Sequence, residues 1–326
     1  MLQFLFRRFV QALIVMTVIS IISFLVQGRL GDPVQQMVGQ SVTLEEREKI
    51  RDELGLNDSL YAQYVRFAKK ALQGDLGVSY YYKEPALDVI LRKLPATLEL
   101  SFSAILLIIF ISIPCGVIAA IRPKSLISKA LMFFSTIGLS VPIFIIAIFL
   151  VYFFSVEWQI APSFGRGETE VVFSFWETGF TSWDGIKHLF LPSLTLALSL
   201  MPLFVRLIRS EMMEVLQSEY IKFAWAKGLS PVRIYFIHAL KNTLLPIITV
   251  AGIQAGTLVA YTILTETIFQ WPGMGFLFLD AISRVDTPLI SAYLMVVGAM
   301  FVITNTLVDL IYGLVNPTVR LSSHGL

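Results

Sequence analysis

Six apolar runs, each close to the roughly 20 residues that a helix needs to cross a hydrocarbon core, constrain this chain more than any other feature. They lie at about 9–27, 97–121, 127–155, 189–208, 244–265 and 289–314. In lipid, backbone N–H and C=O groups must be satisfied within the segment, so each run is read as a helix. The predicted fold class is an all-α integral membrane protein with about six transmembrane helices. Composition agrees: 56% of residues are hydrophobic, 15% are charged, and the mean hydropathy is +0.74, well outside the habit of soluble chains. A net charge of +2 is too small and too dispersed for a nucleic-acid partner and leaves membrane lipid as the surrounding medium. The single cysteine, Cys115, excludes an internal disulfide and lies in an apolar run as a small packing residue.

Basic residues in short loops set the orientation, because Lys and Arg are retained on the cytoplasmic side. Arg7 and Arg8 place the N-terminus inside. No small-residue cleavage site follows the first run, so residues 1–28 are expected to stay as an anchor helix. Arg122, Lys124 and Lys129 mark the second inside loop. Arg206, Arg209, Lys222, Lys227, Arg233 and Lys241 outweigh Glu211, Glu214 and Glu219 in the third. Six spans return the tail, 316–326, to the cytoplasm. The localisation expected is a plasma membrane, crossed several times, with both termini inside.

Two outer regions exceed simple connections. Residues 29–95 form an expected extracytoplasmic subdomain, in which Thr43-Leu-Glu-Glu46 has the wording of a capping box. Residues 156–188 are acidic and aromatic, with Trp158, Phe164, Phe173, Phe175, Trp176, Phe180 and Trp183. They suit interfacial anchoring or a surface for a soluble delivery protein.

Between the fourth and fifth spans, 210–242 is charged and interrupted by Gly228-Leu-Ser-Pro231. Met213, Leu216, Tyr220 and Ala224 recur at helical spacing, and Gly228 supplies the left-handed turn that ends a helix. Ser230 as N-cap and Pro231 as first helical residue start another. A helix, a tight turn and a second helix are predicted on the cytoplasmic side.

Polar and small residues gather on the fifth span. Gly252 and Gly256 form a Gly-x-x-x-Gly pair for close helix packing, within the chain or against a partner. Thr249, Gln254 and Thr257 either line a polar passage or bond a neighbouring helix. Pro114, Pro142 and Pro202 are expected to kink their helices. After the span, Glu266-Thr-Ile-Phe-Gln-Trp271-Pro272-Gly273-Met-Gly275 turns the chain back into a helix too short to cross. Glu266, Trp271, Pro272 and Gly273 are candidates for an outer gate, with Glu266 either facing the path or anchoring at the interface.

No Gly-x-x-x-x-Gly-Lys-Ser/Thr loop is present, so ATP is not expected to bind here. No His-Glu-x-x-His pair or Gly-x-Ser-x-Gly elbow supports hydrolysis or a metal. An enzyme is not expected. An ion-coupled secondary transporter is the rival class, with Asp309 as its one candidate coupling acid.

Several phrases resemble the membrane subunits of bacterial ABC importers, most closely the dipeptide and oligopeptide permease family. They are Glu219 to Leu229 with His238 to Pro246, Glu266 to Gly275, Leu54 to Tyr64 with Gly74 to Ser79, and Asp309 to Arg320. Lys222 and Phe223 replace the Glu and Ala of the general importer pattern. The resemblance implies a type I importer permease core over 96–315. It also implies a coupling loop in which Glu219, Lys222, Phe223, Ala224, Lys227, Gly228, Leu229 and Ser230 meet an ATPase. The implied partners are a homologous second permease, two cytoplasmic ATP-binding subunits carrying ATP and Mg, and an extracytoplasmic substrate-binding protein; this chain carries no cofactor of its own. The implied cargo is di- or oligopeptides, with nickel chelates, glutathione and oligosaccharides as alternatives.

Overall fold

A computed structural model of the chain describes residues 2–29, 43–53, 56–173 and 176–315. The expected tail 316–326, the front of the 29–95 region, Leu54 and Phe175 lie outside the described residues. The elements are α1 (Leu2–Arg29), α2 (Leu44–Glu53), α3 (Leu60–Leu72), α4 (Ala86–Ile121), α5 (Leu126–Ser140) and α6 (Ile143–Leu150), which runs on into π-helical turns over Val151–Glu157. The short strands β1 (Glu170–Phe173) and β2 (Trp176–Thr178) pair, followed by α7 (Trp183–Leu216) and α8 (Glu219–Ala226). One turn at Pro231–Arg233 and π-helical turns over Ile234–Ala239 lead into α9 (Leu240–Ile268). The chain then forms α10 (Met274–Ser283) and α11 (Thr287–Val315).

Among the described residues, five helices are long and apolar enough to cross a membrane, and a sixth crossing results if α5 and α6 count as one broken span. That break corrects the continuous third span expected at 127–155. The two helices meet at 111°. Val141 is extended (φ −87°, ψ 122°), because the ring of a following proline disfavours the helical region for the residue before it. Pro114, Pro192, Pro202 and Pro246 sit inside helices that continue past them. The ends of α4 and α7 outrun their apolar windows, since hydropathy records depth in lipid and not the length of the helix. The ten-residue α10 is too short to cross, as its sequence predicts.

The contacts divide the chain into two compact units. One comprises Met1–Pro95, Phe173–Trp176 and Pro272–Ile303. Here α1 packs on the first half of α11: Ser23 Oγ donates to the Ser291 carbonyl at 3.2 Å, and a Cβ added at Gly298 would fall 2.5 Å from Ile19 Cδ1. Small residues at such crossings let backbones approach where lipid supplies no hydrophobic drive. Phe24 meets Tyr64 of α3 edge-on at 5.7 Å, and the Tyr64 hydroxyl lies 2.9 Å from Ser20 Oγ. The predicted capping box opens α2: the Glu46 amide donates to Thr43 Oγ1, and Glu46 Oε2 accepts from the Thr43 amide at 3.1 Å. The Thr43 hydroxyl and amide hold the Glu46 carboxyl below the usual carboxylate range. A tight hairpin at Gly77–Ala86 is tied to the α10–α11 turn, where buried Asp286 accepts from Ser79 Oγ at 2.5 Å and from the Tyr81 amide at 3.2 Å.

The other unit comprises Ala96–Val172, Glu177–Trp271 and Thr304–Leu326. Its central helix is α7, with 67% of its apolar window buried. A single core joins Leu100, Ala104 and Val117 of α4, Leu196, Leu200 and Ile208 of α7, and Ile221, Ile234 and Leu258 further on. Close approach again needs missing side chains: a Cβ at Gly116 would stand 2.6 Å from Ile208, and one at Gly138 2.7 Å from the Pro202 ring.

Candidate functional site

The charged 210–242 loop is built on the α7 and α9 ends. The single helix predicted from Met213 to Gly228 is in fact two. Helix α7 stops at Leu216, and Ser218 takes an extended backbone (φ −68°, ψ 152°) that starts α8. The Ser218 hydroxyl donates back to the Val215 carbonyl at 2.6 Å, the local competition with helical bonding that makes serine a breaker. Helix α8 then closes as predicted, with Gly228 at φ +74°. The Leu229 amide donates to the Ala224 carbonyl at 3.3 Å and the Gly228 amide to the Trp225 carbonyl at 2.9 Å. These two bonds form a Schellman cap and satisfy the last carbonyls of the helix. Ser230 is extended (φ −64°, ψ 146°) and Pro231 opens the next helix, as expected, but the Ser230 hydroxyl makes no capping bond.

The eight residues of α8 have two distinct faces. Ile221 is fully buried and Ala224 is 7% exposed, both packed into the core with Ile234 and Ala239. Ala224 therefore seats the short helix and does not reach its outer surface. Leu229 is half-buried against the same core. Glu219, Lys222, Phe223, Lys227, Gly228 and Ser230 are exposed. Lys222 Nζ pairs with Glu219 Oε1 at 2.8 Å, and Lys227 Nζ lies 4.6 Å from the Phe223 ring centroid. The flanks are fixed by Asn242 Nδ2 donating to the Tyr220 hydroxyl at 2.7 Å and by Trp225 meeting Tyr235 edge-on at 6.0 Å. A rigid, capped helix thus presents the exposed rings of Tyr220, Phe223 and Trp225 and charges of both signs. It holds no group placed for bond-making chemistry, and among the described residues no three His, Cys, Asp or Glu side chains gather as metal ligands.

The candidate outer gate is a largely buried turn. Glu266 is completely buried and accepts from Thr97 Oγ1 at 2.7 Å, so its carboxyl is held inside the protein. Trp271 is 1% exposed, its indole Nε1 donating to the Ala96 carbonyl at 2.9 Å, and its amide donates to the Glu266 carbonyl at 2.8 Å. Gly273 is buried and Pro272 half-buried. Apolar surroundings leave a polar group to find its partner inside the protein, and this turn does so.

Beside it lies a pair that the sequence reading passed over. Arg166, from the 156–188 region, places Nη2 2.7 Å from Glu99 Oε2 near the start of the second span. Their side chains are 8% and 2% exposed. The same Nη2 donates to the Glu177 carbonyl at 2.7 Å, and the guanidinium lies 5.9 Å from the Trp271 ring centroid. A signal was available: Glu99 is the only acid in the 97–121 run, and Arg166 the only base between Lys129 and Lys187. Ionisable residues in spans rarely stand unpaired.

On α9, Gly252 packs within the chain: a Cβ there would meet Val308 Cγ1 at 2.7 Å. Gly256, Gln254 and Thr257 are half-buried, and Thr249 is exposed. Thr249, Thr262 and Thr265 donate their hydroxyl hydrogens to Leu245, Leu258 and Tyr261 carbonyls of their own helix, so these threonines need no polar passage to be satisfied.

Comparison with known proteins fits this arrangement. Residues 112–321 match the family described as "Binding-protein-dependent transport system inner membrane component", and residues 1–101 match the N-terminal part of such components. The dipeptide transport system permease protein DppB of Escherichia coli K12 is 35% identical, with 98% of this chain and 99% of that protein covered. The di/tripeptide transport system permease protein DppB of Pseudomonas aeruginosa is 37% identical over 98% and 99%. The oligopeptide transport system permease protein AppB of Bacillus subtilis is 35% identical over 98% and 100%. Among solved structures, the inward-facing MetNI methionine ABC transporter has a like fold, with a TM-score of 0.52 and 19% identity over 70% of this chain and 96% of that one. With a helical membrane fold, a capped surface helix between two spans and relatives matched almost end to end, the chain belongs to the binding-protein-dependent transport system inner membrane component family.

Proposed function

We propose that this chain is one of two permease subunits of an ATP-driven importer of di- and oligopeptides, and that α8 with its Gly228 cap is where an ATPase subunit takes hold. The observation that carries the reading is the capped helix itself: Ile221 and Ala224 root it in the core while Phe223, Lys222 and Lys227 stand outside. A short element so fixed moves as a rigid body with α7 and α9, and rigid helices transmit displacement where packed interfaces switch between discrete arrangements. ATP and Mg belong to the two cytoplasmic partners. A second permease completes the path, and a substrate-binding protein delivers cargo from outside. Positive loop charge supports cytoplasmic termini and a cytoplasmic α8. The peptide assignment rests on relatives of full length named for dipeptide, di/tripeptide and oligopeptide transport.

Reconstituted with its partners in liposomes, the protein is expected to accumulate a labelled dipeptide only when ATP is supplied on the ATPase side. Uptake of the same peptide on an ion gradient without ATP would replace the reading with secondary transport. ATP-driven uptake of a nickel chelate or an oligosaccharide, with no peptide uptake, would keep the machine and change its cargo.

A further inference from the structure

We propose that a groove between the start of α5 and the end of α7 binds the headgroup of an anionic phospholipid, through Lys129 and Arg209. The groove has a volume of about 530 Å³ and is lined by Pro123, Lys129, Met132, Phe133, Thr136 and Arg209, together with Ser128. It holds two cations and no acid. The hydroxyls of Ser128 and Thr136 are already used on the Ala119 and Met132 carbonyls, both at 2.9 Å. The donors left to meet a ligand are those of the two cations. Arg209 Nε is buried without a hydrogen-bond partner, so the outer nitrogens of the guanidinium are the ones a phosphate oxygen would meet.

Three features select a lipid over a soluble anion. The groove lies at the ends of spans that the basic loop Arg122 to Lys129 assigns to the cytoplasmic face, where anionic headgroups concentrate and basic pockets between helices hold them. One wall is apolar: Met132 and Phe133 continue from the cations along α5 toward the hydrocarbon, with Phe133 62% exposed. Further exposed apolar side chains on α5, Leu126, Ile127 and Phe134, give this helix an apolar outer face suited to lipid. A headgroup seated between Lys129 and Arg209 would lay its acyl chain on Phe133. The site is independent of cargo and of the ATPase, and it rests only on the membrane residence of the chain.

The test is native mass spectrometry of the intact purified assembly after delipidation, titrated with phosphatidylglycerol or phosphatidylcholine. Phosphatidylglycerol is expected to bind preferentially, and Lys129→Gln and Arg209→Gln are each expected to weaken it about fivefold, the effect of one cation near an anionic surface. Lys124→Gln removes a charge from the same loop but not from the groove, and is expected to leave binding unchanged. Because Lys129 is exposed, its variant keeps the fold and carries the test even if the Arg209 variant does not assemble. Equal retention of the two lipids, equal loss with Lys124→Gln, or displacement of the lipid by inorganic phosphate overturns the proposal. A cross-link from position 129 to the second permease, with no lipid bound, overturns it as well.

Discussion

Gly228→Val is expected to return substrate-stimulated ATP hydrolysis to its basal level while the protein still inserts and assembles in the membrane. Gly228 sits at φ +74°, a region that costs an ordinary residue roughly 1–2 kcal/mol and a β-branched one more. No atom lies within 4 Å of a Cβ built there, so the cost is conformational and local. At about 1.4 kcal/mol for each factor of ten, the capped turn would be populated at least several-fold less. With the Schellman bonds to Ala224 and Trp225 loosened, α8 no longer moves with α9. Gly228→Asn is the control, since asparagine tolerates the left-handed region and should keep most of the stimulation. Full stimulation in the valine variant would remove the cap from the coupling element.

Arg166→Met is expected to lower the stability of the protein by about 3–5 kcal/mol, because it leaves Glu99 charged and buried. The pair has a single close contact, Nη2 to Oε2, and Glu99 Oε1 and Arg166 Nε have no hydrogen-bond partner, so it lacks the forked geometry that most favours Arg and carboxylate. Replacing both partners, as Arg166→Met with Glu99→Leu, is accordingly expected to recover most of the loss, because an apolar pair of similar volume avoids desolvating two charges. Thermal unfolding in mild detergent reads both variants. An unchanged midpoint in the single variant, or no recovery in the double, would contradict the energetic account of this buried pair.

The spans other than the broken third, the short helix α10, the capping box at Thr43 and the Gly228 turn were legible in the sequence, because each follows from a local rule. Hydropathy counts apolar residues, Thr and Glu at the right spacing bond each other's amides, and glycine alone takes a left-handed turn freely. What was not legible depended on neighbours distant in sequence. Pro142 announced a kink, but proline chemistry does not set the 111° to which α5 and α6 open. Glu266 read as a path or interface carboxylate, and only its burial against the Thr97 hydroxyl shows that it lies inside the protein. Gly252 read as a packing residue without a partner, and the partner is Val308. Ala224 matched a family phrase for the coupling loop, yet spacing from Ile221 puts both on the inward face of α8. In each case the residue type gave the chemistry and the fold gave the address.

The measurement that bears most directly on the account is purification of the tagged protein from its native membrane in mild detergent, with the co-purifying subunits identified and ATPase activity assayed. The account predicts a second permease and ATP-binding subunits in the same particle, with hydrolysis that rises when substrate-loaded binding protein is added. A chain that emerges alone and moves solute on an ion gradient, with no ATPase attached, would contradict it.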